Sequence, residues 1–118
     1  MIVRHIKKFE EIFYTDLSSL YPEESISAFG SLERAEQFYL QQEKTQGMVK
    51  RIIEESTTNP LDPIEVVTFS ELSIRDADFQ DRIQELQFTI DNGNHRYFAY
   101  LQANVLTHIP VRLRIVEK

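Results

Sequence analysis

Residues 91–100, DNGNHRYFAY, restrict the possible folds more than any other stretch, because two different periodicities meet there at a single glycine. Before the glycine, LQFTI alternates apolar and polar residues, as a half-buried strand does. After it, Phe98, Leu101 and Val105 recur at helical spacing and predict a short amphipathic helix that ends with Asn104 in the left-handed conformation. IPVRLRIVE alternates again and predicts a closing strand.

Two helices and a strand are predicted upstream of this unit. Ser31 is a suitable N-cap for the helical stretch SLERAEQFYLQQEKTQ, and GMVKRIIEEST is the second helical candidate. NPLDP excludes helix, because Pro60 and Pro63 push the preceding residues toward extended backbone. IEVVTF predicts a strand from its β-branched residues. The acidic stretch SELSIRDADFQDRIQE predicts a loop with one short helix.

The N-terminal segment allows two predictions. Ile2, Ile6, Phe9 and Phe13 recur at helical spacing and indicate an amphipathic helix. IFYTDL is equally consistent with a strand, because aromatic and β-branched residues cluster there. With either choice, 118 residues without repeats or a flexible linker predict a single α+β domain over residues 1–118, a small mixed sheet with packed helices.

Composition excludes several classes of protein. The chain contains no cysteine, so disulfides, zinc–thiolate sites and thiol nucleophiles are excluded. No apolar run approaches the roughly 20 residues of a membrane span. The first residues lack the apolar core of an export signal, so we expect a cytoplasmic protein without a membrane partner.

Charge makes DNA an unfavourable partner, because DNA association normally requires a basic surface and the net charge is −6. From Phe88 onward, however, the chain has four Lys or Arg and two Asp or Glu residues. This local excess is either a solvated strand face or a functional patch.

The hinge has the parts of an anion site. A helix that starts directly after a strand leaves its first N–H groups without intrahelical partners, and Gly93 lets a ligand approach the backbone. His95 adds an imidazole, and Arg96 adds a planar fork that suits phosphate oxygens. The alternative is structural: Asn92 and Asn94 make the turn, His95 caps it, and Arg96 pairs with a surface acid. The sequence leaves both interpretations open.

NGNHRYFAYLQANVLTHIPVRLRI resembles the signature of the ParB/sulfiredoxin superfamily. In that pattern, a strand ends in glycine followed by His-Arg or Arg-Arg, and a helix with conserved small residues leads into an IPV strand. The matching elements here are Gly93, His95, Arg96, Ala99, Ala103 and Ile109-Pro110-Val111, with Asn104 in a glycine place. MVKRIIEESTTNPLDPIEVV is similar to the family's upstream helix, proline and strand. Residues 1–45 are poorly matched.

The resemblance implies a ParB/sulfiredoxin-like fold that binds a nucleotide or phosphate group at Gly93, Asn94, His95 and Arg96. It implies no intrinsic cofactor, although a bound nucleotide can bring magnesium. Sulfiredoxins carry a catalytic cysteine immediately before the His-Arg pair, where this chain has Asn94, so sulfinic-acid repair is excluded. Partition-type ParB proteins attach a helix-turn-helix domain, and this sequence stops after the last strand.

Free serine kinases of the superfamily show Asp-Gly-x-His-Arg, and DNGNHR has one extra residue between the acid and the glycine. Asn92 therefore occupies the acid position and Asp91 is displaced by one. Asp91 and His95 are the candidate catalytic residues, but no acid is identified as a base, so enzymatic activity is left open. The isolated histidines His5 and His108 predict no metal site.

Three functions are compatible with these observations. The first is binding of a nucleotide or phosphorylated small molecule at the hinge, with phosphotransferase or nucleotidase activity as an extension. In that case Tyr97 and Tyr100, which lie off the apolar stripe, would flank a base or ribose. The second is a non-catalytic interaction or regulatory module that acts on a protein partner or as an oligomer. The third is a partition-like or nuclease-like protein that associates with nucleic acid.

Overall fold

Helices and strands are interspersed along the chain in an α+β arrangement. A computed structural model describes residues 8–9, 11–54, 61–69 and 77–115. Its strands are β1 (Lys8–Phe9), β2 (Phe13–Thr15), β3 (Leu20–Tyr21), β4 (Ile64–Thr68), β5 (Phe88–Asn92) and β6 (Ile109–Ile115). Its α-helices are α1 (Glu23–Phe29), α2 (Leu32–Leu40), α3 (Glu43–Glu54), α4 (Ala77–Gln80) and α5 (Asn94–Ala103). Short 3-10 helices cover Leu17–Ser19 and Ile83–Glu85.

The sheet is mixed and has the strand order β1–β6–β4–β5–β3, with β2 also paired to β6. Strands β1 and β2 run antiparallel to β6, and β4 runs parallel to β6. Strand β5 is antiparallel to β4 and parallel to β3. The register pairs Glu65 with Asn92 and Val66 with Ile90, so Asp91 is an extra residue in β5. Such an unpaired residue is a β-bulge.

The main core lies between the sheet and helices α2, α3 and α5. Its sheet side includes Ile64 and Val66 of β4, which are fully buried, and Val111 of β6. Its helical side includes Phe98 and Ala99 of α5, which are also fully buried. A second, smaller cluster consists of Tyr21, Ile26, Phe79 and Leu86 and joins β3 to α1 and α4. Burial of this apolar surface is the main force that holds α5 against the sheet.

The strand–hinge–helix–strand prediction for the second half is confirmed. Only Gly93 separates β5 from α5, and β6 covers residues 109–115 of the predicted closing strand, whose last two residues lie outside the described residues. Asn104 ends α5 in the left-handed conformation, with φ 58° and its N–H bonded to Leu101 O and Tyr100 O. The predicted strand at IEVVTF is β4. In the acidic stretch, α4 and a 3-10 helix follow residues 70–76, which lie outside the described residues.

The predicted boundary between the two upstream helices was wrong. Ser31 caps α2 as expected, with its side chain accepting a hydrogen bond from Arg34 N. The break falls after Leu40, where Gln42 N bonds back to Tyr39 O, and α3 continues through Gly47. A glycine is tolerated inside a helix at a cost of about 1 kcal/mol, so it marked no end here.

The predicted N-terminal helix is wrong for the described part of that segment, and the strand alternative is correct. Lys8–Phe9 and Phe13–Thr15 both pair with β6, so extended backbone there completes hydrogen bonds of the sheet. Ile2 and Ile6 lie outside the described residues. Among the helices that the structure describes, none is long and apolar enough to cross a membrane.

Candidate functional site

A cleft of about 430 Å³ opens at the N-terminal end of α5. Its walls come from α1, α2, α3, the segment before β4, the end of β5 and the first turn of α5. The residues that line it are Glu24, Tyr39, Lys44, Met48, Arg51, Leu61, Asp62, Asp91, Asn92, Gly93, Asn94, His95 and Arg96. Every predicted binding residue and both candidate catalytic residues therefore lie on one surface.

Gly93 makes the sharp passage from strand to helix. Its φ is 124°, a conformation that residues with a side chain rarely adopt. A Cβ at this position would lie 3.2 Å from Ile64 Cγ2 and 3.3 Å from the Arg96 guanidinium carbon, so a side chain would fit only if these neighbours moved slightly. The buried glycine brings the end of β5 directly against β4.

The first amides of α5 lie at this cleft and have no hydrogen-bond partner among the described residues. The first backbone hydrogen bond of the helix runs from Tyr97 N to Gly93 O, at 3.0 Å. Gly93 provides no side-chain cap, and no described residue accepts a hydrogen bond from the N–H of Asn94, His95 or Arg96. These three donors lie at the positive end of the helix dipole, where an anion is stabilised.

Arg96 is partly committed to the protein backbone. Its Nη1 donates hydrogen bonds to Asp62 O, at 3.2 Å, and to Pro63 O. The structural alternative paired Arg96 with a surface acid such as Glu33; among the described residues Arg96 instead links α5 to the segment that enters β4. Arg96 still lines the cleft, and the hydrogen bonds that its side chain forms with the described residues use only Nη1.

His95 lies near two positively charged side chains, those of Lys44 and Arg96. Its ring contacts the ring of Tyr39 edge to face, with centroids 4.8 Å apart. Burial lowers the pKa of His95 below 6.5, and the charges of Lys44 and Arg96 lower it further. Burial and these charges therefore favour the neutral imidazole, and a bound anion would offset the contribution of the charges.

Asp91 lines the cleft but is held by an ion pair. Its Oδ2 lies 2.9 Å from Arg114 Nε, and its Oδ1 accepts a hydrogen bond from Arg114 Nη2 at 3.1 Å. The bulge in β5 accommodates the extra residue that the sequence showed between the acid and the glycine. As a result Asp91 reaches the same cleft as His95, with its charge balanced by Arg114.

The sequence analysis missed the contribution of α2 and α3. Tyr39 supplies an aromatic wall, stacked on Phe98 at 4.7 Å between ring centroids. Lys44, Met48 and Arg51 line the cleft from α3, and their i, i+4, i+7 spacing places them on one stripe of that helix. That spacing was a readable signal, but nothing local indicated that this stripe would face the hinge.

The roles suggested for two tyrosines were wrong. Tyr97 and Tyr100 are buried in the main core, and burial raises the pKa of each hydroxyl to about 12. Helix α5 packs against the sheet and also against α2 and α3, so residues off its apolar stripe are covered as well. Neither ring is available to a ligand, and Tyr39 is the aromatic residue of the cleft.

The described residues include no group of three or more His, Asp or Glu side chains that could hold a metal ion. Neither a protein-family model nor a curated protein matches the sequence. A function is therefore inferred from the chemistry of the cleft.

Proposed function

We propose that the chain is a ParB/sulfiredoxin-like domain that binds a nucleotide or a phosphorylated small molecule in the α5 cleft. The observation that carries the proposal is the set of three amides at the start of α5 that have no partner among the described residues and that lie at a cleft lined by Lys44, His95 and Arg96. Backbone donors and cations that line the same cleft favour a group with several negatively charged oxygens.

Lys44 supports an anionic ligand more strongly than Arg96 does. It is close enough to His95 to lower the pKa of the imidazole, and it forms no ion pair with any residue in the described part of the chain. An ammonium near a guanidinium is electrostatically unfavourable, and both disfavour protonation of the imidazole. A phosphate between Lys44 and the α5 amides would supply a counter-charge.

The rest of the cleft suits a carbon skeleton larger than phosphate itself. Its volume of about 430 Å³ lies within the range of small-molecule sites. Tyr39, Met48 and Leu61 provide apolar surface next to the polar end. Such a wall can contact a sugar or a base while the phosphate stays at α5.

The proposed function is binding of the phosphorylated ligand, and no reaction is assigned to the cleft. His95 is placed to donate to a phosphate oxygen or to transfer a proton, since its pKa lies below 6.5. Phosphotransferase or nucleotidase activity would need a carboxylate base as well. Asp91 forms an ion pair with Arg114. The other carboxylates that line the cleft, and so the other candidate bases, are Glu24 and Asp62.

A thermal-shift titration tests the proposal. ATP, CTP, GTP, their diphosphates and pyrophosphate are added in turn, with and without magnesium. A ligand at 100 times its dissociation constant should stabilise the folded state by about 2.7 kcal/mol. Lys44→Met should abolish the shift, whereas Lys50→Met, an exposed residue of the same helix that does not line the cleft, should preserve it.

The outcomes separate the proposed functions. A shift that survives Lys44→Met places the ligand elsewhere and rejects this cleft. No shift with any compound at millimolar concentration rejects phosphate binding and favours an interaction module of the same fold. Binding of DNA that weakens steeply with salt would favour the nucleic-acid alternative.

A further inference from the structure

One side chain of the cleft is held from behind by a buried hydroxyl. Ser25 lies in α1 and is 1 % exposed. Its Oγ donates a hydrogen bond of 2.7 Å to Asn94 Oδ1, across 69 residues of sequence. The Tyr39 hydroxyl lies 3.3 Å from the same Oγ. A serine hydroxyl has one hydrogen, and the shorter contact is with Asn94.

This hydrogen bond sets the orientation of the Asn94 amide. The amide is planar, and its oxygen and nitrogen point in different directions from the same carbon. Because Oδ1 points inward to Ser25, Nδ2 points away from the buried hydroxyl. Asn94 lines the cleft, and no described residue accepts a hydrogen bond from Nδ2. Nδ2 is therefore the group of Asn94 that is left to donate to a ligand in the cleft.

We propose that Ser25 is a positioning residue that holds Asn94 Nδ2 toward the cleft as a fourth donor beside the three α5 amides. The inference rests on the proposed function and narrows its ligand. A seat built from backbone N–H groups, Nδ2 and the Lys44 ammonium presents donors alone. It is matched by an acceptor-only group, which is a fully ionised phosphoryl group and not one that carries a proton.

Ser25 acts through Asn94, and this predicts a specific pattern of affinities. Pyrophosphate binding is measured by calorimetry for the wild type, Ser25→Ala, Asn94→Ala and the double variant. Each single substitution should weaken binding by about tenfold, the effect of one hydrogen bond to a charged group. The double variant should bind no more weakly than Asn94→Ala. Ser27→Ala, at an exposed position of α1 outside the cleft, should bind within about twofold of the wild type.

An additive loss in the double variant would show that Ser25 has only a general structural role, and would overturn the inference. An Asn94→Ala variant with the same affinity for pyrophosphate as the wild type would also overturn the inference.

A second measurement covers the case in which Ser25→Ala unfolds. In the wild type, the NMR signals of the Asn94 side-chain amide should shift on saturation with pyrophosphate. Signals that do not move, in a protein that binds pyrophosphate at the Lys44-dependent site, overturn the role of Asn94 and Ser25 and leave the proposed function intact. A wild type that binds no phosphate compound removes the proposed function itself.

Discussion

Replacing Gly93 by alanine tests whether the hinge requires a residue without a side chain. The backbone at Gly93 has φ 124°, and the added Cβ would approach Ile64 Cα to 3.3 Å and Ile64 Cγ2 to 3.2 Å. One of these contacts is to the backbone of β4, which cannot rotate away. The substitution therefore strains the turn and displaces a strand of the main core.

The expected loss of unfolding free energy is centred near about 3 kcal/mol, within a range of about 1–6 kcal/mol. An unfavourable φ costs about 1–3 kcal/mol, and overpacking against β4 costs a further amount of about 1–3 kcal/mol. The reduced freedom of the unfolded chain returns about 0.4–1 kcal/mol. At about 4 °C per kcal/mol for a domain of this size, the melting temperature should fall by about 10 °C.

Gly47→Ala is the matched control. Gly47 lies inside α3 at an exposed position, and a Cβ there would meet no atom within 4 Å. The same change should therefore stabilise the protein by about 0.5–1 kcal/mol through helix propensity. Urea unfolding followed by circular dichroism measures both variants. A Gly93→Ala variant within about 0.5 kcal/mol of the wild type would refute this account of the hinge.

Two further predictions concern charges at the cleft. Asp91→Asn should lower the unfolding free energy by about 1 kcal/mol at pH 7. Asp91 and Arg114 are each 27 % exposed, so solvent screens their ion pair only in part. If Asp91→Asn caused an equal loss in a protein that already carries Arg114→Met, the pairing would be contradicted. Sulfate, which does not titrate between pH 8 and 5, should bind more tightly as the pH falls, by up to about tenfold per unit. The pKa of His95 is lowered in the free protein, so binding a dianion takes up a proton. His95→Gln should remove this dependence, and an unchanged pH profile would exclude His95 from the site.

Helix ends and strands that depend on residues close together in sequence were predicted correctly. The Ser31 hydroxyl can cap α2 whatever the rest of the fold, and Asn104 tolerates the left-handed conformation that ends α5. The alternation of apolar and polar residues predicted extended backbone at β5 and β6, and both are strands, although burial does not alternate along β5, where the adjacent Thr89 and Ile90 are both buried. These predictions depend on residues a few positions apart, and they are confirmed.

Tertiary structure decided the remaining elements. Phe9 and Phe13 match helical spacing, but the open edge of β6 offers hydrogen bonds to extended backbone, and pairing determined the outcome. Tyr97 and Tyr100 fall off the apolar stripe of an isolated helix, yet α5 is covered on more than one side. A helical wheel describes a helix with one buried face, so it fails here.

The residues of the cleft also fall into those that the sequence predicted and those that only the fold reveals. Asn94, His95 and Arg96 are adjacent in sequence, so their presence at one helix start was predictable. Ser25 and Lys44 reach that helix from α1 and α3, and only the folded chain shows it. The link from Arg96 to the carbonyls of residues 62 and 63 was equally invisible, because backbone acceptors carry no sequence signal.

The walls of the α5 cleft come from segments that are far apart in the chain, from Glu24 to Arg96. No single helix or hairpin could form this surface alone, so an occupant would be lost whenever α1, α2 or α3 detached from α5. Occupancy would consequently oppose each partial opening as strongly as it opposes complete unfolding. A bound guest would thus make these helices open together, and backbone hydrogens throughout them would exchange with solvent more slowly by a shared factor.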